Sequence, residues 1–71
     1  MKRKVAAMYT HVALKDGTEG AVVVRQFDKT ISDRVHYEID TPEGDVIGVY
    51  EDDITSAEVW EEVEEDKITE Y

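Results

Sequence analysis

The chain has 71 residues, no cysteine and a formal net charge of −10. This length fits one small domain, and the lack of cysteine excludes disulfides and thiolate zinc sites. No stretch approaches the roughly 20 apolar residues of a membrane-spanning helix, so we expect a soluble, cytoplasmic protein.

The first half of the chain alternates between turn signals and apolar segments. A long mixed segment runs from residue 4 to 14, and residues 15–18 form a turn in which Gly17 supplies a positive φ. Residues 20–27 contain three consecutive valines, which are typical of a buried strand. Residues 28–33 are polar and indicate a second turn.

Residues 34–50 carry the clearest secondary-structure signal, which is that of a β-hairpin. The segment 34–40 alternates apolar and polar side chains, so one face of a strand there is apolar. In the turn at 41–45, Pro42 presets one φ angle and Gly44 permits the chain to reverse. Residues 46–50 form the return strand.

The segment from 56 to 65 can be interpreted in two ways. As a helix it would be capped by Thr55 and Glu58 and would carry a stripe of apolar residues. As a strand over 57–63 it would close a sheet and remove an exposed edge, so we favour the strand. Before this segment, residues 51–55 predict a short turn or a single helical turn.

The whole chain, 1–71, is interpreted as one domain that ends in a frayed acidic tail over about 64–71. Four or five short strands with turns every 8 to 12 residues predict an all-β or β-rich α+β fold. The predicted core consists of Met8, Val12, Leu14, Val22, Val24, Val35, Tyr37, Ile39, Val46, Val49, Ile54 and Val59.

The stretch "DGTEGAVVV…VHYEIDTPEGDVIGVYEDDI" resembles small SH3-like or Tudor-like barrels over about residues 15–63. In those folds an acidic turn followed by an aliphatic residue often precedes the closing strand. The resemblance implies an SH3-like or Tudor-like barrel, or a rolled antiparallel sheet of four to five strands.

Neither catalysis nor a cofactor is expected from these residues. The only side chains with an ordinary pKa near neutrality are His11 and His36, and the only serines, Ser32 and Ser56, lie outside any nucleophile-elbow pattern. A glycine-rich phosphate loop is lacking, and the acidic turn at 40–45 does not fit the calcium-loop pattern. We therefore predict a protein that is not an enzyme and has no metal or other cofactor.

The charge is divided very unevenly between the two parts of the chain. Residues 1–37 contain seven Lys or Arg and four Asp or Glu, whereas residues 38–71 contain fourteen acids and one base, Lys67. So many carboxylates cannot be buried unpaired, and the acidic surface they form repels nucleic acid and anionic membranes but attracts basic partners. High solubility, adaptation to a high-salt cytoplasm and mimicry of a polyanion are three competing explanations.

Mimicry of a polyanion fits the charge pattern best. Alternate residues on one face of a strand lie about 6.6 to 6.8 Å apart, close to the separation of successive phosphates along a DNA strand. The predicted partner-binding residues are Glu38, Asp40, Glu43, Asp45, Glu51, Asp52, Asp53, Glu58, Trp60, Glu61, Glu62, Glu64 and Glu65. On this interpretation, reversing Glu61, Glu62 and Glu64 to lysine abolishes binding.

In its size, acidity, lack of cysteine and β-rich pattern the chain resembles phage host-takeover proteins that act as DNA mimics. It is most similar to the small acidic inhibitors of the bacterial nucleoid protein HU. The resemblance implies a partner that holds DNA mainly through phosphate contacts, and a site of action in the cytoplasm of a bacterial host. The basic first part departs from a uniformly acidic mimic, so we expect only one face to act as the mimic.

Two alternatives remain open. A Tudor-like or SH3-like adaptor would bind a basic peptide in an aromatic groove, which requires Tyr9, Tyr37, Tyr50 and Trp60 to cluster at the surface. An acidic domain without a partner, from a high-salt organism, would need high salt to fold.

Overall fold

The computed structural model describes all 71 residues. It contains seven strands, which pair antiparallel, and no α-helix. Five strands form one sheet in the order β5-β4-β3-β2-β6, and the other two form a separate sheet, β1-β7. The strands are β1 (Lys2–Ala6), β2 (His11–Leu14), β3 (Glu19–Gln26), β4 (His36–Asp40), β5 (Val46–Tyr50), β6 (Ile54–Ala57) and β7 (Trp60–Glu64), with 3₁₀ turns at Glu51–Asp53 and Glu65–Lys67.

The all-β prediction is confirmed, but the two sheets do not close into a barrel and there are more strands than predicted. The segment 4–14 is divided between β1 and β2, because the chain turns at Tyr9, which has a φ of +63°. The single strand favoured over 57–63 is instead divided between the end of β6 and β7, with a break at residues 58 and 59, and Glu65 already belongs to the following 3₁₀ turn. The acidic turn expected before the last part of the chain is the 3₁₀ turn Glu51–Asp53.

The predicted hairpin is confirmed as β4 and β5, in a register that pairs His36 with Tyr50 and Asp40 with Val46. Gly44 lies in the turn with a φ of +89°, where any other residue would be strained. On β4 the side chains alternate as the sequence predicts, with Tyr37 buried in the core.

The core lies between the two sheets and differs from the predicted core at both ends of the chain. Its members are Val5, Ala6, Val12, Val22, Val35, Tyr37, Ile39 and Ile68. Leu14 is buried as predicted. The prediction was wrong for Val46 and Val59, whose exposed fractions are 55% and 53%, and for Val24, which is half-buried because the irregularity after Val22 in the β3–β4 pairing interrupts the alternation of β3. Val46 starts an edge strand on the outer side of the sheet, and Val59 lies between β6 and β7 with its backbone bonded to Ala7 and Thr10.

The segment after residue 64, predicted to be frayed, is packed against the rest of the molecule instead. Ile68 is completely buried, and Glu70 exchanges two backbone hydrogen bonds of 2.8 Å with Arg25 of β3. An isolated apolar residue in an acidic segment carries little signal by itself. The segment is ordered because Ile68 contributes buried apolar surface that the short strands cannot supply alone.

Arg25 is the one buried charged side chain, with 1% of its surface exposed. Its guanidinium donates hydrogen bonds to the carbonyl oxygens of Ala6 at 3.0 Å and Ile68 at 3.2 Å. It also contacts the carboxylates of Glu61 at 2.6 Å and Glu70 at 3.3 Å. A single side chain on β3 therefore joins both strands of the two-stranded sheet to the last segment of the chain.

We predict that Arg25→Ala lowers the free energy of unfolding by at least about 3 kcal/mol, since it leaves buried carbonyl groups and two carboxylates without their partner. Arg34→Ala is the matched control: it removes an exposed ion pair with Asp52 and a contact with the Tyr50 ring at 4.3 Å, and is expected to cost about 1 to 2 kcal/mol. Urea denaturation of the two variants gives both values. Equal losses would contradict the role assigned to Arg25.

The packing of Ile68 leads to a second prediction. Ile68→Ala is expected to cost about 2 to 5 kcal/mol, because it opens a cavity in the core. Ile31→Ala, at a residue that is 79% exposed, should change stability by about 0.5 kcal/mol or less. If thermal unfolding shows no difference between these two variants, the last segment does not pack as described.

Candidate functional site: the acidic surface

The thirteen residues predicted to bind a partner do not form one surface. They fall on the β4–β5 hairpin, on the 3₁₀ turn after β5, and on β7 with its flanking residues. The ion pairs within the protein differ greatly between these three groups. They therefore decide which carboxylates remain free to attract a basic partner.

On β7 the predicted acidic row faces bases. The antiparallel register places Glu62 opposite Lys4 and Glu64 opposite Lys2, and directly opposed residues of opposite charge attract each other. The Lys4 ammonium lies 5.3 Å from the centre of the Trp60 ring. The outer face of the two-stranded sheet therefore carries acids and bases in equal number along these positions and has little net charge.

Two further acids of this region belong to the structural framework. Glu61 accepts the 2.6 Å hydrogen bond from Arg25, and Glu65 accepts one of 2.7 Å from Arg3, with Lys29 at 4.0 Å. Reversing Glu61 would place a lysine against Arg25. The triple reversal of Glu61, Glu62 and Glu64 would thus disturb folding. A loss of binding in that variant could therefore result from unfolding and would not identify these acids as partner contacts.

The contact between Arg3 and Glu65 shifts the pKa values of both groups. The hydrogen bond from Arg3 lowers the pKa of Glu65, with smaller contributions from Lys29 and the charge of Arg3, and the same hydrogen bond raises the pKa of Arg3. Arg3 also contacts Asp33 at 2.6 Å and lies 4.5 Å from the centre of the Phe27 ring. Arg3 thus joins β1 to the loop after β3.

Two of the three acids of the 3₁₀ turn are also engaged within the protein, whereas the carboxylate of Asp53 forms no ion pair or hydrogen bond. Glu51 accepts a 2.6 Å hydrogen bond from the backbone N–H of Val35, and Asp52 pairs with Arg34 at 3.1 Å. The pKa of Asp52 is lowered, first by its own backbone N–H and then by Arg34. The carbonyl of Asp53 accepts from the backbone of Lys15.

One acid between β6 and β7 also has a partner within the protein. The carboxylate of Glu58 accepts a hydrogen bond of 3.3 Å from the backbone N–H of His11.

The four acids of the β4–β5 hairpin form no ion pair. Glu38 and Asp40 alternate on the outer face of β4, while Glu43 and Asp45 lie exposed in the turn. The two strands and the turn between them, residues 36–50, contain no arginine or lysine, and the preceding base, Arg34, pairs with Asp52. The four hairpin acids therefore have no ion-pair partner within the hairpin.

The turn between β2 and β3 adds two acids that the sequence analysis did not select, Asp16 and Glu19. A cavity of about 400 Å³ lies between this turn and the hairpin turn, and residues of both turns line it, including Asp16, Glu19 and Glu43. The two turns meet because Gly20 lets β3 approach β4 closely: a Cβ there would overlap the carbonyl oxygen of Asp40. In the sequence, Gly20 of "TEG" was the one residue that could have indicated this close approach of the two strands.

We define the acidic surface as these six residues: Asp16, Glu19, Glu38, Asp40, Glu43 and Asp45. Within it, Asp16 accepts the backbone N–H of Thr18 at 2.9 Å, which lowers the pKa of Asp16 and keeps it charged. Glu19 lies 2.7 Å from His11. The neighbouring base, Lys15, forms no ion pair with either of these acids.

The aromatic groove that an adaptor would need is not formed. Tyr37 is buried, with its hydroxyl bonded to the backbone N–H of Ala6, and Tyr9 is exposed at the turn before β2. Trp60 lies on the two-stranded sheet, whereas Tyr50 packs against His36 on the five-stranded sheet, with their ring centres 5.0 Å apart. The four rings therefore share no common surface.

A further cavity lies away from the acidic surface. The largest cavity, about 560 Å³, is an open cleft between residues 26–31 and the last segment of the chain. No three His, Asp or Glu side chains are placed to hold a metal ion, and no helix is long and apolar enough to cross a membrane.

Comparisons with protein-family models, with curated proteins and with solved structures find no match to this chain.

The pKa of Glu65 leads to a prediction about pH. Because folding lowers this pKa below its ordinary value of 4.5, the ion pair with Arg3 stabilises the protein above that pH, and the stabilisation is lost as pH falls through the lowered pKa. Glu65→Gln should thus be less stable than the wild type at pH 7, with a difference that disappears in acid.

Denaturant titrations at several pH values measure this difference. Glu43→Gln, which removes a carboxylate without an ion pair, is the control and should not destabilise the protein at pH 7. A difference between Glu65→Gln and the wild type that stays constant down to pH 2 would contradict the assigned role of the ion pair.

Proposed function

We propose that this protein is a non-catalytic DNA mimic that binds the DNA-binding surface of a basic nucleoid-associated protein of the HU type and blocks its binding of DNA. The acidic surface supplies the contacts, and no cofactor takes part. On this proposal the protein acts in the cytoplasm of a bacterial cell during phage infection.

The observation that carries the proposal is the uneven pairing of the carboxylates. Most acids near the two-stranded sheet and the 3₁₀ turn have bases or backbone donors beside them, whereas none of the four hairpin acids has one. A cluster of uncompensated carboxylates produces a strong negative potential, which speeds encounter with a basic protein and favours binding to its phosphate-contacting lysines and arginines.

The geometry of β4 supports mimicry of a phosphate row in particular. Glu38 and Asp40 project from the same face of a strand, which separates them by about 6.6 to 6.8 Å. Two further exposed acids, Glu43 and Asp45, lie in the turn that follows the strand. A protein whose affinity for DNA comes mainly from phosphate contacts can exchange those phosphates for carboxylates in such an arrangement.

The proposal is tested with a variant in which the four hairpin acids become neutral isosteres. Purified HU bound to labelled DNA is challenged with the wild type and with the variant, at several salt concentrations. The wild type is expected to displace the DNA, less effectively as salt rises, and the variant to lose most of this ability. The variant is Glu38→Gln, Asp40→Asn, Glu43→Gln and Asp45→Asn.

A matched control removes the same number of charges elsewhere, so that the two variants have equal net charge. It should keep most of the displacing activity. Equal losses in both variants would show that net charge alone matters, and no displacement by the wild type at low salt would remove HU as the target. The control is Glu58→Gln, Glu62→Gln, Glu64→Gln and Asp66→Asn.

A further inference from the structure

The five-stranded sheet has a free edge next to the acidic surface. β5 is the first strand in the order of that sheet and pairs only with β4. A strand at the edge of a sheet offers a row of unpaired N–H and C=O groups on which another strand can form. The structure thus provides a possible docking edge directly beside the acidic surface.

The hydrogen bonds at the two ends of the hairpin show which residues offer these groups. The backbone N–H of Thr41 bonds to the carbonyl of Asp45 at 2.8 Å, and that of Glu51 bonds to Val35 at 2.9 Å. In an antiparallel pair the backbone N–H and C=O groups of successive residues point alternately toward the partner strand and away from it. The backbone groups of residues 46, 48 and 50 therefore face outward, and those of residues 47 and 49 bond to β4.

The edge lacks the usual protection against another strand. Natural edge strands carry charged residues, proline or bulges that prevent pairing. β5 reads Val-Ile-Gly-Val-Tyr: it has no charge and no proline, and its pairing with β4 is regular throughout. Val46 is more than half exposed at its start.

The charges at both ends of β5 restrict what can pair with it. The flanking acids with free carboxylates are Glu43 and Asp45 before the strand and Asp53 after it, since Glu51 and Asp52 are bound within the protein. A second copy in antiparallel pairing would bring the first group against the second group of its partner, acid against acid. An extended segment with lysine or arginine at both ends would instead meet opposite charge at both ends.

We propose that β5 accepts an extended segment of the basic partner as an added strand of the sheet, held by the outward backbone groups of Val46, Gly48 and Tyr50 and by the acids that flank β5. This inference rests on the proposed function, since it describes how the basic partner docks. Backbone bonds supply affinity, and the flanking acids select a segment with basic ends.

The probe is the peptide KRTVTVTRK, together with an analogue that is N-methylated at its five central residues. The two peptides have the same charge, but the analogue cannot donate backbone hydrogen bonds. We expect the unmodified peptide to bind at least about tenfold more tightly, because several hydrogen bonds are at stake. It should also slow hydrogen exchange at the amides of Val46, Gly48 and Tyr50, while those of Ile47 and Val49 serve as internal controls.

Each other result overturns the inference. Equal affinity for both peptides would show that charge alone is recognised, which leaves the proposed function intact. Failure of both peptides to bind would exclude the edge, and the competition against HU decides the proposed function independently. Protection of the same amides by self-association, detected by sedimentation, would assign the edge to a second copy.

Discussion

The rest of the structure depends on the buried guanidinium of Arg25. It lies in a core made mostly of small aliphatic side chains, and its donors are satisfied by carbonyl groups from β1 and the last segment and by the carboxylates of Glu61 and Glu70. A charge in such a place is tolerated only when it is paired and hydrogen-bonded. Since those partners come from segments distant in sequence, satisfying Arg25 brings both sheets together.

The pairing of Arg25 and of the other bases also determines which carboxylates remain free to bind a partner. Most bases of the first half of the chain are used within the protein, with Arg25 and Arg3 binding acids of the second half and Lys2 and Lys4 lying opposite acids of β7. What remains uncompensated is concentrated on the β4–β5 hairpin and the neighbouring turn. The excess of acid thus becomes a local surface with a defined position beside a free strand edge.

The β class, the hairpin and the strand character of residues 57–63 could be predicted from the sequence, because alternation and turn residues are local signals. The burial of Ile68 could not, since it depends on a pocket formed by strands far away in the chain. The same limit applies to the site: Glu61 and Glu65 look identical to other acids in the sequence, and only the positions of Arg25 and Arg3 identify them as structural. Asp16 was missed because the meeting of two turns is a tertiary property.

The central claim is that the acidic surface, and not the acids of β7, contacts the partner. Titrating HU into isotope-labelled protein and following the backbone chemical shifts tests it most directly. The account predicts that the largest changes occur at the six residues of the acidic surface and along β5, with little change on the outer face of the two-stranded sheet. Changes concentrated on that outer face, with the hairpin unaffected, would contradict it.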